Sequence, residues 1–294
     1  MSVDLRTTLV EEEALTSLPG SGRRRWSPSL VAGTVMVTLT AVVGLVALFW
    51  TPYSLDATGS GARLAGPSGQ FWIGTDRLGR DLFSQLMAGA TSALIVAAAT
   101  MVIAALIGLT LGILAAATTW WVDAGFSKFI DIMIAFPTLL LAMLIVTIRG
   151  ASLSSAILAI GISGSATIAR VTRINTQRVL REDYFRAART SGTRWWASLR
   201  LHILPNIFPM LLVQLMLLGG AAILAEAALS YLGLGAPPPA ASWGRMLLEA
   251  QSTVEVQPWA ALAPGLAIAW TVLGLNLLGD GLRDLLDPTL RGDR

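Results

Sequence analysis

The sequence predicts an all-α polytopic membrane protein with about six transmembrane helices, and three observations support this class. The mean hydropathy of the 294 residues is +0.66, and 54% of them are hydrophobic. Only 13% are charged, against roughly a quarter in a typical soluble chain. The apolar residues also form charge-free stretches of about 20 residues, the length that a helix needs to cross a bilayer core.

Six such stretches place the transmembrane spans. They are predicted at about 30–50, 92–118, 132–148, 150–169, 203–234 and 256–279. The charge-free stretch 82–122 is too long for one span, so its first third is expected to lie at the membrane interface. Arg149 alone separates the third and fourth spans, which indicates a tight external hairpin. The first span, at 21 residues, exceeds the apolar core of a signal peptide, which is about 7–15 residues, and is predicted to be retained.

The distribution of basic residues predicts the orientation. One side of the six-span arrangement carries 16 lysines and arginines, and the other carries 5. Because basic residues are concentrated in cytoplasmic loops, both termini are expected in the cytoplasm. The chain then divides into a mobile N-terminal tail at 1–29, a transmembrane domain at 30–280 and a cytoplasmic tail at 281–294. Within the domain, a cytoplasmic loop at 170–202 carries eight arginines.

The composition excludes several kinds of chemistry. There is no cysteine and one histidine, so disulfides, thiolate sites and multi-histidine metal sites are not expected. Lys128 is the only lysine, and no phosphate-binding glycine pattern precedes it, so the chain should carry no P-loop. The excess of basic over acidic residues lies in loops between apolar spans, which argues against a nucleic-acid partner. We find no catalytic residue set and expect no enzymatic activity.

The loop at 170–202 is the most informative segment. Glu182 and Asp183 are predicted to begin a short helix that Arg186 and Arg189 end, since this order complements the helix dipole. Gly192 stands where a C-cap is expected. Small side chains at Ala187, Ala188 and Ser191 form one stripe of this helix. A second turn is predicted to begin at Trp195 and Trp196, and Leu204 and Pro205 lead into the fifth span. Two interpretations remain open, an ordinary basic surface loop or a helix that fits a groove on another protein.

Four further features outside this loop have structural interpretations. The external segment 74–81 is predicted to be a turn in which Thr75 or Asp76 caps a short helix and Gly79 relieves strain. The spacing Gly108-x-x-x-Gly112 suggests close helix packing. Glu226 is predicted at the outer interface near Ser230 and Tyr231, in preference to a proton-coupling role. Gln214 and Asn276 either line a pathway or form hydrogen bonds between helices.

Four ordered motifs resemble a known family. Tyr184-Phe185-Arg186-Ala187-Ala188-x-x-x-Gly192, followed by Leu204-Pro205, resembles the EAA loop of ABC-importer permeases, E-A-A-x-x-x-G-x(9)-I-x-L-P. Arg186 replaces the glutamate of that motif, and His202 replaces the isoleucine. The segments 74–81, 225–244 and 279–288 are similar to the C-type permeases of the dipeptide/oligopeptide/nickel branch. Together the motifs cover roughly residues 30 to 290.

The resemblance implies a type I ABC importer permease in a bacterial cytoplasmic membrane. Such a subunit catalyses no reaction itself. The resemblance further implies a B-type permease as the other half of a heterodimer, two ATPase domains that hold the ATP and Mg²⁺, and an extracytoplasmic substrate-binding protein. Peptides are the expected solute, with nickel or another small solute as the alternative. An ion-gradient-driven secondary transporter is the competing class.

The resemblance also implies the functional residues. The residues expected to couple this chain to the ATPase are Tyr184, Arg186, Ala187, Ala188, Ser191, Gly192, Leu204 and Pro205. The residues expected at the external mouth, where a binding protein could make contact, are Gly74, Thr75, Asp76, Gly79, Arg80 and Asp81.

Overall fold

A computed structural model describes residues 27–238 and 240–286 of the chain. The predicted tail residues 1–26 and 287–294 lie outside these ranges. In the described ranges the protein contains helices and one isolated bridge between Thr75 and Asp81, with no strand. The α-helices, in chain order, are α1 Pro28–Phe49, α2 Leu82–Ala117, α3 Trp120–Ala135, α4 Thr138–Arg149, α5 Leu153–Arg181, α6 Asp183–Thr190, α7 Trp195–Ser198, α8 Leu204–Tyr231, α9 Trp243–Ala250 and α10 Trp259–Leu286.

The prediction of about six spans agrees with the helices. Five helical segments, containing α1, α2, α5, α8 and α10, are long and apolar enough to cross a membrane. The sixth candidate is the pair α3 and α4, which is bent by 85° at a short break. The helix α10 continues to Leu286, so the first residues of the predicted tail at 281–294 are helical and extend the last span.

The second span differs from its prediction. Residues 82–91 do not form a separate segment at the interface, because α2 runs unbroken over 36 residues, a length of about 54 Å at 1.5 Å per residue. The physical reason is burial within the protein. Gln85 is buried and donates to Asp76, and Gly89 lies so close to the Trp243 ring that a Cβ there would stand 2.4 Å from it.

The third span is broken where the sequence analysis predicts one helix at 132–148. Pro137 cannot donate a backbone hydrogen bond and disfavours helical backbone at the residue before it. Phe136 accordingly has an extended backbone, with φ −74° and ψ 127°, and the chain turns between α3 and α4. The hairpin then turns at Gly150 and continues into α5, which reaches Arg181, twelve residues beyond the predicted end at 169.

Close packing of α2 against α5 holds the centre of the bundle together. A Cβ at Gly108 would lie 2.6 Å from the Cβ of Ile168, and one at Gly112 would lie 2.6 Å from the Ala169 carbonyl oxygen. Such distances leave no room for a side chain, so the two glycines allow the backbones to approach. The close packing predicted from the Gly108-x-x-x-Gly112 spacing is confirmed.

Polar contacts join neighbouring segments at both ends of this bundle. At the beginning of α2, Arg80 pairs with Glu249 at 3.0 Å, which links the segment 50–81 to the segment 232–258. Beyond the end of α2, Arg173 pairs with Asp123 at 2.5 Å, which links α5 to α3. Since α2 is one helix of membrane length, these two networks lie at opposite ends of it.

Candidate coupling helix, external cap and membrane cavity

The short helix predicted in the 170–202 loop is present as α6, and its ends follow from the sequence. Glu182 is its N-cap residue, Asp183 lies in the first turn and Arg189 in the last. These charges oppose the partial charges of the helix termini. The second turn predicted at Trp195 is also present as α7.

Gly192 ends α6 as the sequence predicts. Its φ is +82°, the left-handed region that favours glycine. Its N–H donates to the Arg189 carbonyl at 3.1 Å, and the N–H of Thr193 donates to the Ala188 carbonyl at 3.1 Å. This pair of bonds is the Schellman motif, which satisfies the last carbonyl groups of a helix.

One aromatic side chain anchors α6 to the bundle. Phe185 is 5% exposed and packs in a cluster with Val179 of α5 and with Ile203 and Ile207. Phe185 is not among the predicted coupling residues, although it is the most apolar of the large side chains of α6. Burying a Phe side chain contributes about 1.5–3 kcal/mol, so this contact fixes the helix against α5.

The face of α6 away from this anchor is open. Tyr184, Arg186, Ala187, Ser191 and Gly192 are exposed, and Ala188 is half-buried. A Cβ at Gly192 would meet no heavy atom within 4 Å. Partial burial, with the negative charge of Glu182, raises the pKa of the Tyr184 hydroxyl. Among the predicted coupling residues, Ala187, Ser191 and Gly192 therefore form a small, uncharged patch beside Tyr184 and Arg186.

The Leu-Pro step lies at the start of α8, where the sequence analysis places it. Leu204 is half-buried against the cluster around Phe185, and Pro205 is exposed. A π-helical turn at Leu199–Ile203 precedes them and was not predicted. It carries His202, whose ring centroid lies 6.0 Å from that of Tyr184.

The external segment 74–81 is a turn whose cap differs from the prediction. The capping residue is Asp81, not Thr75 or Asp76, and it caps the long helix α2 by accepting from the backbone N–H of Ser84 at 2.8 Å. The left-handed backbone of Gly79, with φ +73°, agrees with the predicted strain relief. Thr75 instead donates to the Ala62 carbonyl at 2.5 Å.

Asp76 is the centre of this external turn. One of its carboxylate oxygens accepts from the backbone N–H groups of Leu78 and Arg80 at 2.8 and 2.9 Å. The other accepts from Arg80 Nε at 2.6 Å and from Gln85 Nε2 at 3.1 Å. Four hydrogen bonds, one of them from the Arg80 guanidinium, thus satisfy a carboxylate that is almost fully buried.

The charge pairs extend from Asp76 to α9. Arg80 also donates to Glu249 at 3.0 Å, and Glu249 accepts from Arg245 at 2.9 Å. We call the segments 50–81 and 232–258 joined in this way the external cap. Within the predicted mouth motif, most members are buried and Arg80 is half-buried, whereas Arg77 and Leu78 are exposed.

A cavity of about 490 Å³ lies in the membrane part, between α4, α5 and α8. Its lining is mostly apolar and contains no charged residue. Its polar members are Thr138, Ser163, Thr167 and Gln214. Gln214, whose role the sequence leaves open, therefore faces a space that could hold a solute. Asn276 lies near Gly220 at the contact of α8 with α10, which favours a packing role.

Glu226 lies near the end of α8 and is buried. It is 3% exposed and accepts from the Ser230 hydroxyl at 2.6 Å. The proximity to Ser230 agrees with the prediction, and the carboxyl is enclosed by protein. The segment after α8 folds back over this position, since a Cβ at Gly235 would overlap the Ser230 side chain.

A bundle of membrane-length helices, an uncharged cavity within it and a short exposed helix at one end fit a membrane transport permease. Comparison with known families gives the same class. Residues 108–292 match the family described as the binding-protein-dependent transport system inner membrane component, and the chain belongs to this family.

Three similar proteins extend the match over most of the chain. The dipeptide transport system permease protein DppC of Alkalihalophilus pseudofirmus is 39% identical over 89% of this chain and 86% of its own length. The glutathione transport system permease protein GsiD of Pectobacterium atrosepticum is 38% identical over 89% and 87%. The probable D,D-dipeptide transport system permease protein DdpC of Escherichia coli is 38% identical over 90% and 89%.

The resemblance drawn from the four motifs is confirmed. The chain is a multi-pass permease subunit of an ABC importer, with a transport role and not an enzymatic one. Its family implies an ATPase and a substrate-binding protein as partners. The competing class, a secondary transporter driven by an ion gradient, does not fit this family.

Proposed function

We propose that this chain forms half of the translocation pathway of a bacterial importer for dipeptides or oligopeptides. The similar permeases from three organisms serve dipeptide, glutathione and D,D-dipeptide transport systems, and all of these solutes are short peptides. The membrane is the bacterial cytoplasmic membrane, with residues 30–280 as the permease domain and both tails inside. A B-type permease supplies the other half of the pathway.

The exposed small face of α6 is the observation that carries the coupling role. A helix that is anchored by Phe185 and shows Ala187 and Ser191 to solvent can enter a groove on a separate ATPase without rearranging its own bundle. The ATPase domains, two in number, hold the ATP and Mg²⁺, and this chain holds no cofactor. Leu204 and Pro205 carry the movement of α6 into α8.

The cavity between α4, α5 and α8 is the proposed wall of the pathway in this chain. Its hydroxyl and amide groups can exchange hydrogen bonds with the peptide groups of a solute as it passes. The absence of charge from the lining suits solutes that differ in side chains and in charge, because no fixed ion rejects one of them. At the outer end, Arg77 and Leu78 of the external cap offer a contact for the substrate-binding protein, and the buried motif around Asp76 holds them in place.

Transport by the assembled complex tests this proposal. The permease pair, ATPases and binding protein are reconstituted in proteoliposomes, and uptake of radiolabelled alanyl-alanine is measured with ATP and with a non-hydrolysable analogue. We expect ATP-dependent uptake that a protonophore does not abolish. Uptake of nickel ions with no uptake of any di- or oligopeptide would assign the chain to the alternative solute.

Variants of the cavity wall test the pathway directly. Gln214→Leu replaces the amide by an apolar group of similar size, and Asn276→Leu is the matched control outside the cavity lining. We expect a higher KM for peptide uptake in the first variant only, with normal expression of both. An equal effect of the two changes would show that Gln214 acts through helix packing.

A further inference from the structure

The bent span contains a helix that is weakly packed. Of the sixteen residues of α3, only Ile130 is buried. Large apolar side chains on the same helix are exposed, among them Trp120, Phe129 and Ile132. Full burial in α3 is therefore limited to Ile130, so the polar contacts of the helix weigh more in fixing its position.

A bidentate ion pair holds the first end. Arg173 of α5 donates from Nε to Asp123 Oδ1 at 2.5 Å and from Nη2 to Asp123 Oδ2 at 2.7 Å. Gln177, one turn further along α5, donates to the same Oδ2 at 3.0 Å. The charged side chains are only about 20% exposed, so solvent screens this pair less than a surface pair. Planar two-point pairing of this kind fixes geometry as well as distance.

The residues that hold this end belong to the part of α5 next to α6. Arg173 and Gln177 precede the end of α5 at Arg181, and α6 begins two residues later. Val179 of the same part of α5 packs against Phe185, the anchor of α6. A displacement of α6 therefore acts directly on the turn of α5 that holds Asp123.

The other end of α3 leads into the cavity wall. After Ala135 the chain bends by 85° at Phe136 and Pro137. The next two residues, Thr138 and Leu139, begin α4 and line the membrane cavity. The same short helix thus pairs with α5, close to the start of α6, at one end and continues into the cavity wall at the other.

We propose that α3 is a strap that carries the motion of α6 to the cavity wall, with Asp123 and Arg173 as its attachment and Phe136–Pro137 as its hinge. The proposal rests on the proposed coupling role of α6. When an ATPase displaces α6, the attached end of α3 follows, and the bend at the hinge changes the position of Thr138 and Leu139. Asp123 and Arg173 are positioning residues and do not touch the solute.

A second ion pair on α3 provides a matched control. Arg170 of α5 pairs with Asp131, but its side chain is 44% exposed and that of Asp131 is 57% exposed. Exposed pairs of this kind contribute little. Asp131→Asn therefore removes one carboxylate charge from the same helix without releasing the strap.

The first test measures how many peptides are imported per ATP hydrolysed by the reconstituted complex, with alanyl-alanine as the solute. In Asp123→Asn we expect this ratio to fall about five-fold or more, the size of a typical coupling between sites, with ATP hydrolysis retained. Asp131→Asn should keep the wild-type ratio. The double variant Asp123→Arg with Arg173→Asp exchanges the two charges and should restore most of the lost ratio of imported peptide to hydrolysed ATP. Equal ratios in wild type and Asp123→Asn would overturn the strap.

The second test needs no transported solute. The chain contains no cysteine, so spin labels can be placed at Ile132→Cys and Ile148→Cys, exposed positions on either side of the hinge. Trapping the complex with ATP and vanadate should shift the distance between the labels in wild type and in Asp131→Asn, but not in Asp123→Asn. The same shift in all three proteins, or none in wild type, would refute the strap. If the distance between the labels shifts as expected but the complex imports no peptide, the proposed solute would be contradicted and the strap would not.

Discussion

The turn 74–81 of the external cap and the helix α6, which is followed by Gly192, are both short segments outside the predicted spans, but their polar groups have opposite environments. In the cap, the Asp76 carboxylate is buried and accepts four hydrogen bonds from the cap and the start of α2. In α6, one side chain, Phe185, is buried and the remaining residues face outward or are half-buried. The cap is satisfied within this chain, whereas α6 presents a surface that a partner can cover.

Short segments outside the spans can therefore serve stability in one place and association in another. A buried charged network is costly to interrupt, because the remaining partner stays buried without compensation. A substitution on a small exposed helix face changes the stability of the isolated chain little, but it weakens binding to a partner that covers this face. Substitutions in the two regions should therefore separate the stability of this subunit from its assembly with an ATPase.

The largest effect is expected from Asp76→Ala in the cap. The change leaves Arg80 and Gln85 without their shared acceptor, and breaking a buried pair typically costs about 3–5 kcal/mol. We expect a lower thermal unfolding temperature in detergent and less protein in the membrane. Arg77→Ala, at an exposed position in the same turn, should leave both unchanged. An Asp76→Ala protein as stable as wild type would show that the cap is not a structural element.

Phe185→Ala should have the next largest effect, and a local one. Removing a buried phenyl ring typically costs about 3–5 kcal/mol, but here the loss falls on the docking of α6 and not on the spans. We expect faster hydrogen exchange over 183–203, weaker recovery of the ATPase with the permease, and little change in exchange along α2. Tyr184→Ala, beside it on the exposed face, should keep slow exchange. Exchange that rises equally in α2 would indicate global destabilisation.

A smaller effect is expected at Gly192. A β-branched residue with φ near +82° is strained by about 1–2 kcal/mol, which corresponds to roughly tenfold weaker ATPase binding if that backbone is required in the complex. Gly192→Val should therefore weaken ATPase binding, while Gly192→Asn, which tolerates this backbone, should stay close to wild type. A Cβ at Gly192 meets no heavy atom within 4 Å in this chain. Equal binding by the two variants would show that the Schellman turn is not needed for assembly.

Local signals in the sequence predict α6 and its ends well. The acidic start, the basic end and Gly192 act within one or two turns, so their effect does not depend on distant parts of the chain. The spans follow from the length of charge-free stretches for the same reason. Pro137 is a local signal for the break between α3 and α4, but the span was predicted from a count of apolar residues, which takes no account of proline.

The long-range contacts could not be predicted in this way. Hydropathy shows that 82–122 is too long for one span, but not that the excess continues as helix against Trp243 and Asp76. Asp123 and Arg173 are 50 residues apart, and their pairing depends on how α3 folds back along α5. The role of Asp81 as the N-cap residue of α2 was not predicted, because this helix was expected to begin ten residues later.

The most direct test of the account is the recovery of the ATPase with an Ala187→Trp permease. Ala187 is exposed on α6, so the indole adds bulk to the proposed contact without entering the core of this chain. Gly69→Trp is the matched control, since it adds the same bulk at an open position of the external cap. We expect normal membrane insertion of both proteins, with loss of ATPase recovery and of peptide uptake in Ala187→Trp only. Wild-type recovery and uptake in Ala187→Trp would contradict the coupling role of α6.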